Sequence, residues 1–204
     1  MIPLNLQKLV AKKMKRIFRN LKFIWQLLRG KRHPGLSFTA DVSQVKDGKE
    51  IWSKKGISAW WNGLMDEGEK NVLNTYFRAT ETPTTFYLGL GNNGGTPGIP
   101  AETATLATIT EPTGDGYARI EIERSATGFP TLDKDVDGDY YVVSKQLTFE
   151  NTGATNWSAC DYMFLTDVAS GTAGKLLVTI ALSSSRVLEP STQLICRISK
   201  GKLS

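Results

Sequence analysis

The stretch Tyr117-Ala-Arg-Ile-Glu-Ile-Glu-Arg124 decides how this chain folds. Ala118, Ile120 and Ile122 recur at every second residue, with Arg119, Glu121 and Glu123 between them. A period of two is that of a strand with one face turned to a core and the other to water. Upstream, Gly114-Asp115-Gly116 is a turn signal, Thr105–Glu111 can be extended, and Gly91-Asn-Asn-Gly-Gly-Thr-Pro-Gly98 is a glycine-rich loop after a strand over Thr85–Leu90. Downstream, strands are expected over Tyr140–Glu150, Cys160–Thr166, Lys175–Leu182 and Gln193–Ser199. Many short strands separated by turns predict a mainly β chain: an antiparallel β-sandwich or jelly-roll-like body over residues 59–204.

One short helix interrupts this pattern near residues 66–78. Asp66 with Glu69 three residues later resembles a capping box, and Val72, Leu73, Tyr76 and Phe77 then share one helical face. Trp60 and Trp61 precede it and read as core or as a plug over one end of the sandwich. Residues 31–58 read as a connector, with turn signals at Pro34-Gly35 and Asp47-Gly48 and a short strand over Leu36–Val45.

The charge is divided unevenly. The net charge is +5, yet residues 1–35 hold ten Lys or Arg and no Asp or Glu, leaving 15 basic and 20 acidic residues in the rest. Two physically different parts have been joined. Between Leu4 and Leu28 there is no Gly or Pro, and Val10, Met14, Ile17, Leu21, Ile24 and Leu28 follow each other in steps of four and three. This heptad stripe, widened by Phe18 and Trp25, predicts a basic amphipathic helix over residues 1–30. Charges interrupt every candidate signal-peptide core, and the absence of Ser before position 37 argues against an organelle transit peptide. A self-associating coiled coil would set like charges against each other. A helix packed on its own body, with solvated charges, is the plainest alternative. An anchor suits the pattern best: Val10, Met14, Ile17, Phe18, Leu21, Ile24, Trp25 and Leu28 supply apolar contact, and Lys12, Lys13, Arg16 and Arg19 supply charge toward an acidic partner. That partner is a protein groove, with nucleic acid or an anionic surface as the less favoured choice.

Little in the chain carries catalytic chemistry. His33 is the single histidine, so neither a His pair for a metal nor a well-supported Ser-His nucleophile is present. Gly89-Leu-Gly-Asn-Asn-Gly-Gly95 is followed by Thr96 and Pro97, not by a helix, and reads as a surface loop instead of a phosphate cradle. Asp133, Asp135, Asp137 and Asp139 alternate around Gly138 as in a calcium loop, but Ser144 stands where the bidentate Glu belongs, so an acidic hairpin turn is the better reading. Cys160 and Cys196 lie on expected strands, and whether they are bridged stays open. No cofactor and no catalytic or metal site is expected.

The order of motifs over residues 59–204 resembles a family of tailed-bacteriophage virion structural proteins, tail-fibre-like or of decoration type. The resemblance rests on Asp66-Glu-Gly-Glu-Lys-Asn-Val-Leu-Asn-Thr-Tyr-Phe-Arg78, Pro83-Thr-Thr-Phe-Tyr-Leu-Gly-Leu90, Ala101-Glu-Thr-Ala-Thr-Leu106 and Glu111-Pro-Thr-Gly-Asp-Gly-Tyr-Ala-Arg119. Trp157, Phe164-Leu-Thr-Asp167, Leu176-Leu177 and a last strand ending in Leu203 continue it. It implies a non-enzymatic structural component of the virion, partnered with capsid, neck or tail proteins and present as a homo-oligomer. The helix would anchor it, with the β-body decorating or extending the particle. The alternative is a receptor- or carbohydrate-binding sandwich module of a fibre or tail tip.

Overall fold

The computed structural model describes residues 36–57, 63–78, 84–136 and 138–203. The expected N-terminal helix, with every proposed anchor residue from Val10 to Leu28, lies outside the described residues, as do Trp60, Trp61 and Asp137.

The chain from Leu36 onward forms one compact unit. It opens with strands β1 (Leu36–Lys46), β2 (Lys49–Ile57) and β3 (Gly63–Leu64). Helix α1 (Asp66–Leu73) runs directly into a π-helical turn (Asn74–Arg78). Then follow β4 (Thr85–Gly91), β5 (Ile120–Glu123), β6 (Thr131–Lys134), β7 (Tyr140–Val143), β8 (Leu147–Glu150), β9 (Cys160–Thr166), β10 (Leu176–Arg186) and β11 (Thr192–Leu203). All pairings are antiparallel. One layer is β5-β4-β9-β10. The other centres on β1 and β11, with β2 on the far edge of β1, β7 and β8 on the far edge of β11, and β6 beyond β7. The two-residue strand β3 bonds to both β10 and β1 and so joins the two sheets of the expected sandwich at one corner.

The expected strand over Tyr117–Arg124 is shorter, Ile120–Glu123, and its alternation holds only there: Ile122 is buried, but Ala118 is exposed and Arg119 is buried because its guanidinium is taken up by Glu111. Leu88, Leu90, Ile122, Met163, Leu165, Val178, Ile180 and Leu182 from one layer meet Phe38, Ala40, Val42, Leu147, Phe149, Leu194, Cys196 and Ile198 from the other. A second cluster lies on the outer side of β9, where Tyr162 and Phe164 pack with Met65, Leu106 and Leu176. Strand β9 is therefore buried along its whole length. A strand covered on both faces reads as a near-continuous apolar run, as Cys160–Thr166 does.

Several elements differ from expectation, each for a physical reason. Residues 36–57 are not a connector. They form a long hairpin whose first strand lies between β11 and β3 and buries Phe38, Ala40 and Val42. Its turn is Asp47-Gly48, with φ of 50° and 72°. Positive φ at both central residues is what a tight hairpin turn requires, and Asp-Gly is a preferred pair for it. Strand β2 escapes sequence reading because it is an edge strand with mostly exposed residues, so no apolar alternation marks it. Thr105–Glu111 is not a strand. It holds a turn, with Thr108 N–H donating to the Thr105 carbonyl, and one bridge from Thr110 to Asn92. The expected strand Tyr140–Glu150 is split at Ser144, whose N–H donates to the Ile198 carbonyl while its hydroxyl accepts the Ile198 N–H. Asp66 does not cap α1: the cap position is Met65, and no side chain caps it.

Candidate functional site

The resemblance motif over 111–119 builds a closed polar node. Arg119 is buried, and its guanidinium donates to Glu111 at both oxygens, Nη2 to Oε1 at 2.5 Å and Nε to Oε2 at 3.2 Å. It also donates to the carbonyls of Val168 and Gly171, at 3.1 and 2.9 Å, and lies over the Phe164 ring. Tyr117 donates its hydroxyl to Glu111 Oε2 at 2.7 Å and accepts the Leu90 N–H at 2.9 Å. Burial, with the Glu111 charge beside it, pushes the Tyr117 phenol well above its ordinary value. Trp157 packs edge-on against Tyr117 and donates its indole N–H to the Asp115 carbonyl. These polar groups bond one another, so the node fixes the loops that carry them.

The glycine-rich loop is likewise occupied. Asn93 and Gly95 direct their N–H groups at Asp161 Oδ2, at 2.6 and 2.9 Å. Donors that would cradle a phosphate already hold the chain's own carboxylate. In the acidic turn, Asp135 accepts the Asp139 N–H at 3.1 Å and pairs with Lys200 at 2.7 Å. Gly138 turns the chain at φ 88°. Asp135 is thereby committed to the hairpin and to β11, and among the described residues no three His, Cys, Asp or Glu side chains group as a metal set. Cys160 and Cys196 are free, buried thiols. Burial, followed by the Asp161 charge, pushes Cys160 up to about 12. Burial likewise raises Cys196, with the neighbouring Cys160 adding to the shift.

The surface around α1 is different. The expected apolar face of this helix does not point inward. Gly68 and Asn71 are buried, whereas Val72, Leu73 and Phe77 are 40%, 56% and 79% exposed. The reason is the close approach of α1 to β10. A Cβ on Gly68 would stand 2.1 Å from the Leu177 carbonyl oxygen, so only glycine permits this contact. The approach is held by Met65 N–H donating to the Leu177 carbonyl and by Glu67 Oε2 accepting the Leu176 N–H at 2.7 Å. Beside the helix lies an apolar groove of about 390 Å³, lined by Val72 and Gly68 together with Phe38, Phe86, Phe129, Val142, Leu177 and Ile198. Phe86 and Phe129 meet edge to face there, their centroids 6.2 Å apart. Sequence reading has no signal for this groove, because its walls come from eight separate stretches of the chain. The helical stripe is visible in the sequence as Val72, Leu73, Tyr76 and Phe77 on one face, and Val72, Leu73 and Phe77 stand exposed.

Residues 63–204 match the family described as podophage GP4 fiber I protein gp80. No curated protein matches the chain.

Proposed function

Because the chain belongs to the podophage GP4 fibre I family and is a structural component of the virion, we propose that residues 1–30 anchor it to another virion protein while the β-sandwich projects from the particle. The observation that carries this reading is the contrast between the two parts. Residues 1–35 hold ten basic and no acidic residues around a heptad stripe, whereas the matched region belongs to a β-sandwich in which Glu111, Tyr117 and Arg119 bond one another.

An apolar stripe with no internal counter-charge fits a partner that offers both a groove and negative charge. Burying about six such side chains contributes on the order of 1.5–3 kcal/mol each as an upper estimate, opposed by the ordering of the helix. Exposed ion pairs add only about 0–1 kcal/mol each. The anchor is therefore read as groove-directed and charge-steered, and the protein as a homo-oligomer following the symmetry of its attachment site.

The test is a comparison of incorporation into purified particles. Ile17→Ser, Leu21→Ser and Ile24→Ser combined should reduce incorporation more than Lys12→Gln, Lys13→Gln and Lys15→Gln combined. The opposite order, with attachment lost steeply as salt rises, would make the arm a tether to nucleic acid or an anionic surface.

A further inference from the structure

We infer that the sandwich stands on the particle in one orientation. The end at which the chain enters at Leu36 faces the virion protein that receives residues 1–30, and the end bearing the Asp47-Gly48 turn is the surface presented outward. The inference rests on the anchor reading above and adds which end of the body meets that protein.

Strand register carries it. Strands β1 and β11 pair from Leu36 with Leu203 to Lys46 with Thr192, so the start of β1 and the end of β11 lie together at one end of the sheet. Tyr141 of β7 pairs with Lys202, and β6 runs antiparallel to β7, so the turn between them, at Gly138, belongs to that same end. At the opposite end Lys46 pairs with Lys49 to close the β1–β2 hairpin, and Glu150 at the end of β8 pairs with Gln193. Lys46 forms an ion pair with Glu189, Asn151 N–H donates to the Thr192 carbonyl, and Asn151 Nδ2 donates to the carbonyls of Thr155 and Leu188. The hairpin turn and the loops over 151–156 and 187–191 are thereby fixed to one another as a single surface.

Chain length decides which end lies nearer the particle. Strand β1 is eleven residues long, about 35 Å at its ordinary rise. Residues 31–35 alone separate the anchor from Leu36, a reach of at most about 20 Å. The tether is shorter than the strand, so the Asp47-Gly48 end stays at least about 15 Å from residue 30 however the chain is drawn. With residues 1–30 seated in a partner, the Leu36 end is held against that partner and the turn end is not. The β6–β7 hairpin brings Val136, fully exposed, and Tyr140, 61% exposed, to the inward end, where the same protein can cover them.

The experiment labels thiols on purified particles with a bulky polyethylene-glycol maleimide. Val136→Cys puts a thiol at the inward end and Lys49→Cys puts one at the outward end, both at exposed positions, while the native Cys160 and Cys196 are buried. The two variants should label alike as free protein. In particles Lys49→Cys should keep its free-protein rate and Val136→Cys should slow by about tenfold or more, since access governs thiol reaction. Tyr140→Cys and Thr155→Cys, exposed at the inward and outward ends, should repeat the contrast at independent positions. The reverse pattern, or equal rates at both ends in particles, overturns the orientation and leaves the anchor reading intact. A chain lacking residues 1–30 that still enters particles overturns the anchor reading and the orientation with it.

Discussion

Arg119 grips Glu111 through two hydrogen bonds while donating two more to the carbonyls of Val168 and Gly171, so a single buried cation ties the 111–119 loop to the 167–174 loop. The Arg119 side chain is 3% exposed and that of Glu111 is 27% exposed. Breaking a buried pair from one side costs about 3–5 kcal/mol, and the partial exposure of Glu111 points to the lower end. Arg119→Met should therefore lower unfolding stability by about 3 kcal/mol in a urea titration, and adding Glu111→Leu should recover part of it. A single variant within 0.5 kcal/mol of wild type, roughly the size of an ordinary surface change, would show that the node is not structural.

The close seat of α1 on β10 makes a second prediction. Gly68→Ala should cost about 1–3 kcal/mol, since a methyl group has no room before the Leu177 carbonyl. The same change should raise amide exchange at Leu176, whose N–H is held by Glu67. Neutral behaviour in both measurements would mean that the helix can lift off without loss.

Burial of acidic protons predicts a loss of stability in alkali. Cys160 is raised from 9.0 to about 12 and Tyr162 from 10.0 to about 12, chiefly by burial. In the unfolded chain these groups lose their protons near their ordinary values, while the folded chain keeps them. The unfolded state thus binds fewer protons above pH 9, and stability falls as pH rises from there toward 12. The denaturation midpoint should be level from about pH 7 to 8.5 and decline above pH 9. Cys160→Ala should flatten the first part of that decline, and the wild-type thiols should react with a disulfide reagent only on unfolding. A midpoint level to pH 11 would contradict this.

The hairpin sets the boundary of the folding unit. A fragment starting at Leu36 should give a cooperative, β-rich fold, whereas one starting at residue 59 should not. The shorter piece lacks Phe38, Ala40, Val42 and Ile57, all buried, and leaves β11 without its longest partner. Trypsin should accordingly release a product beginning between Lys31 and Leu36. A stable fold from residue 59 would restore residues 36–57 to the role of connector.

The sequence was most legible where burial and periodicity coincide. Strands β4, β9, β10 and β11 fall within a few residues of expectation because their side chains alternate, or run apolar, against a core. It was least legible where solvent faces the backbone. Strand β2, with Lys49, Lys54 and Lys55, pairs through its main chain and carries no apolar signature. The α1 region misled for the opposite reason. Its apolar stripe at helical spacing normally marks a core face, but here the tight approach is made by Gly68 and Asn71 and the stripe is turned outward. The groove could not be read locally, since Phe38, Phe86, Phe129 and Ile198 meet only through the sheet topology. Residues 1–30 carry a pattern of charge and periodicity in the sequence and lie outside the described residues.

What residues 1–30 do in the assembled virion decides how the protein attaches. The most direct measurement is the amount of this protein in purified particles made with a chain lacking residues 1–30, set against the full-length chain. The truncated chain should be soluble, keep the β-rich spectrum of the body and be missing from particles. Truncated protein present at the full-length level would contradict it and place attachment in the β-sandwich.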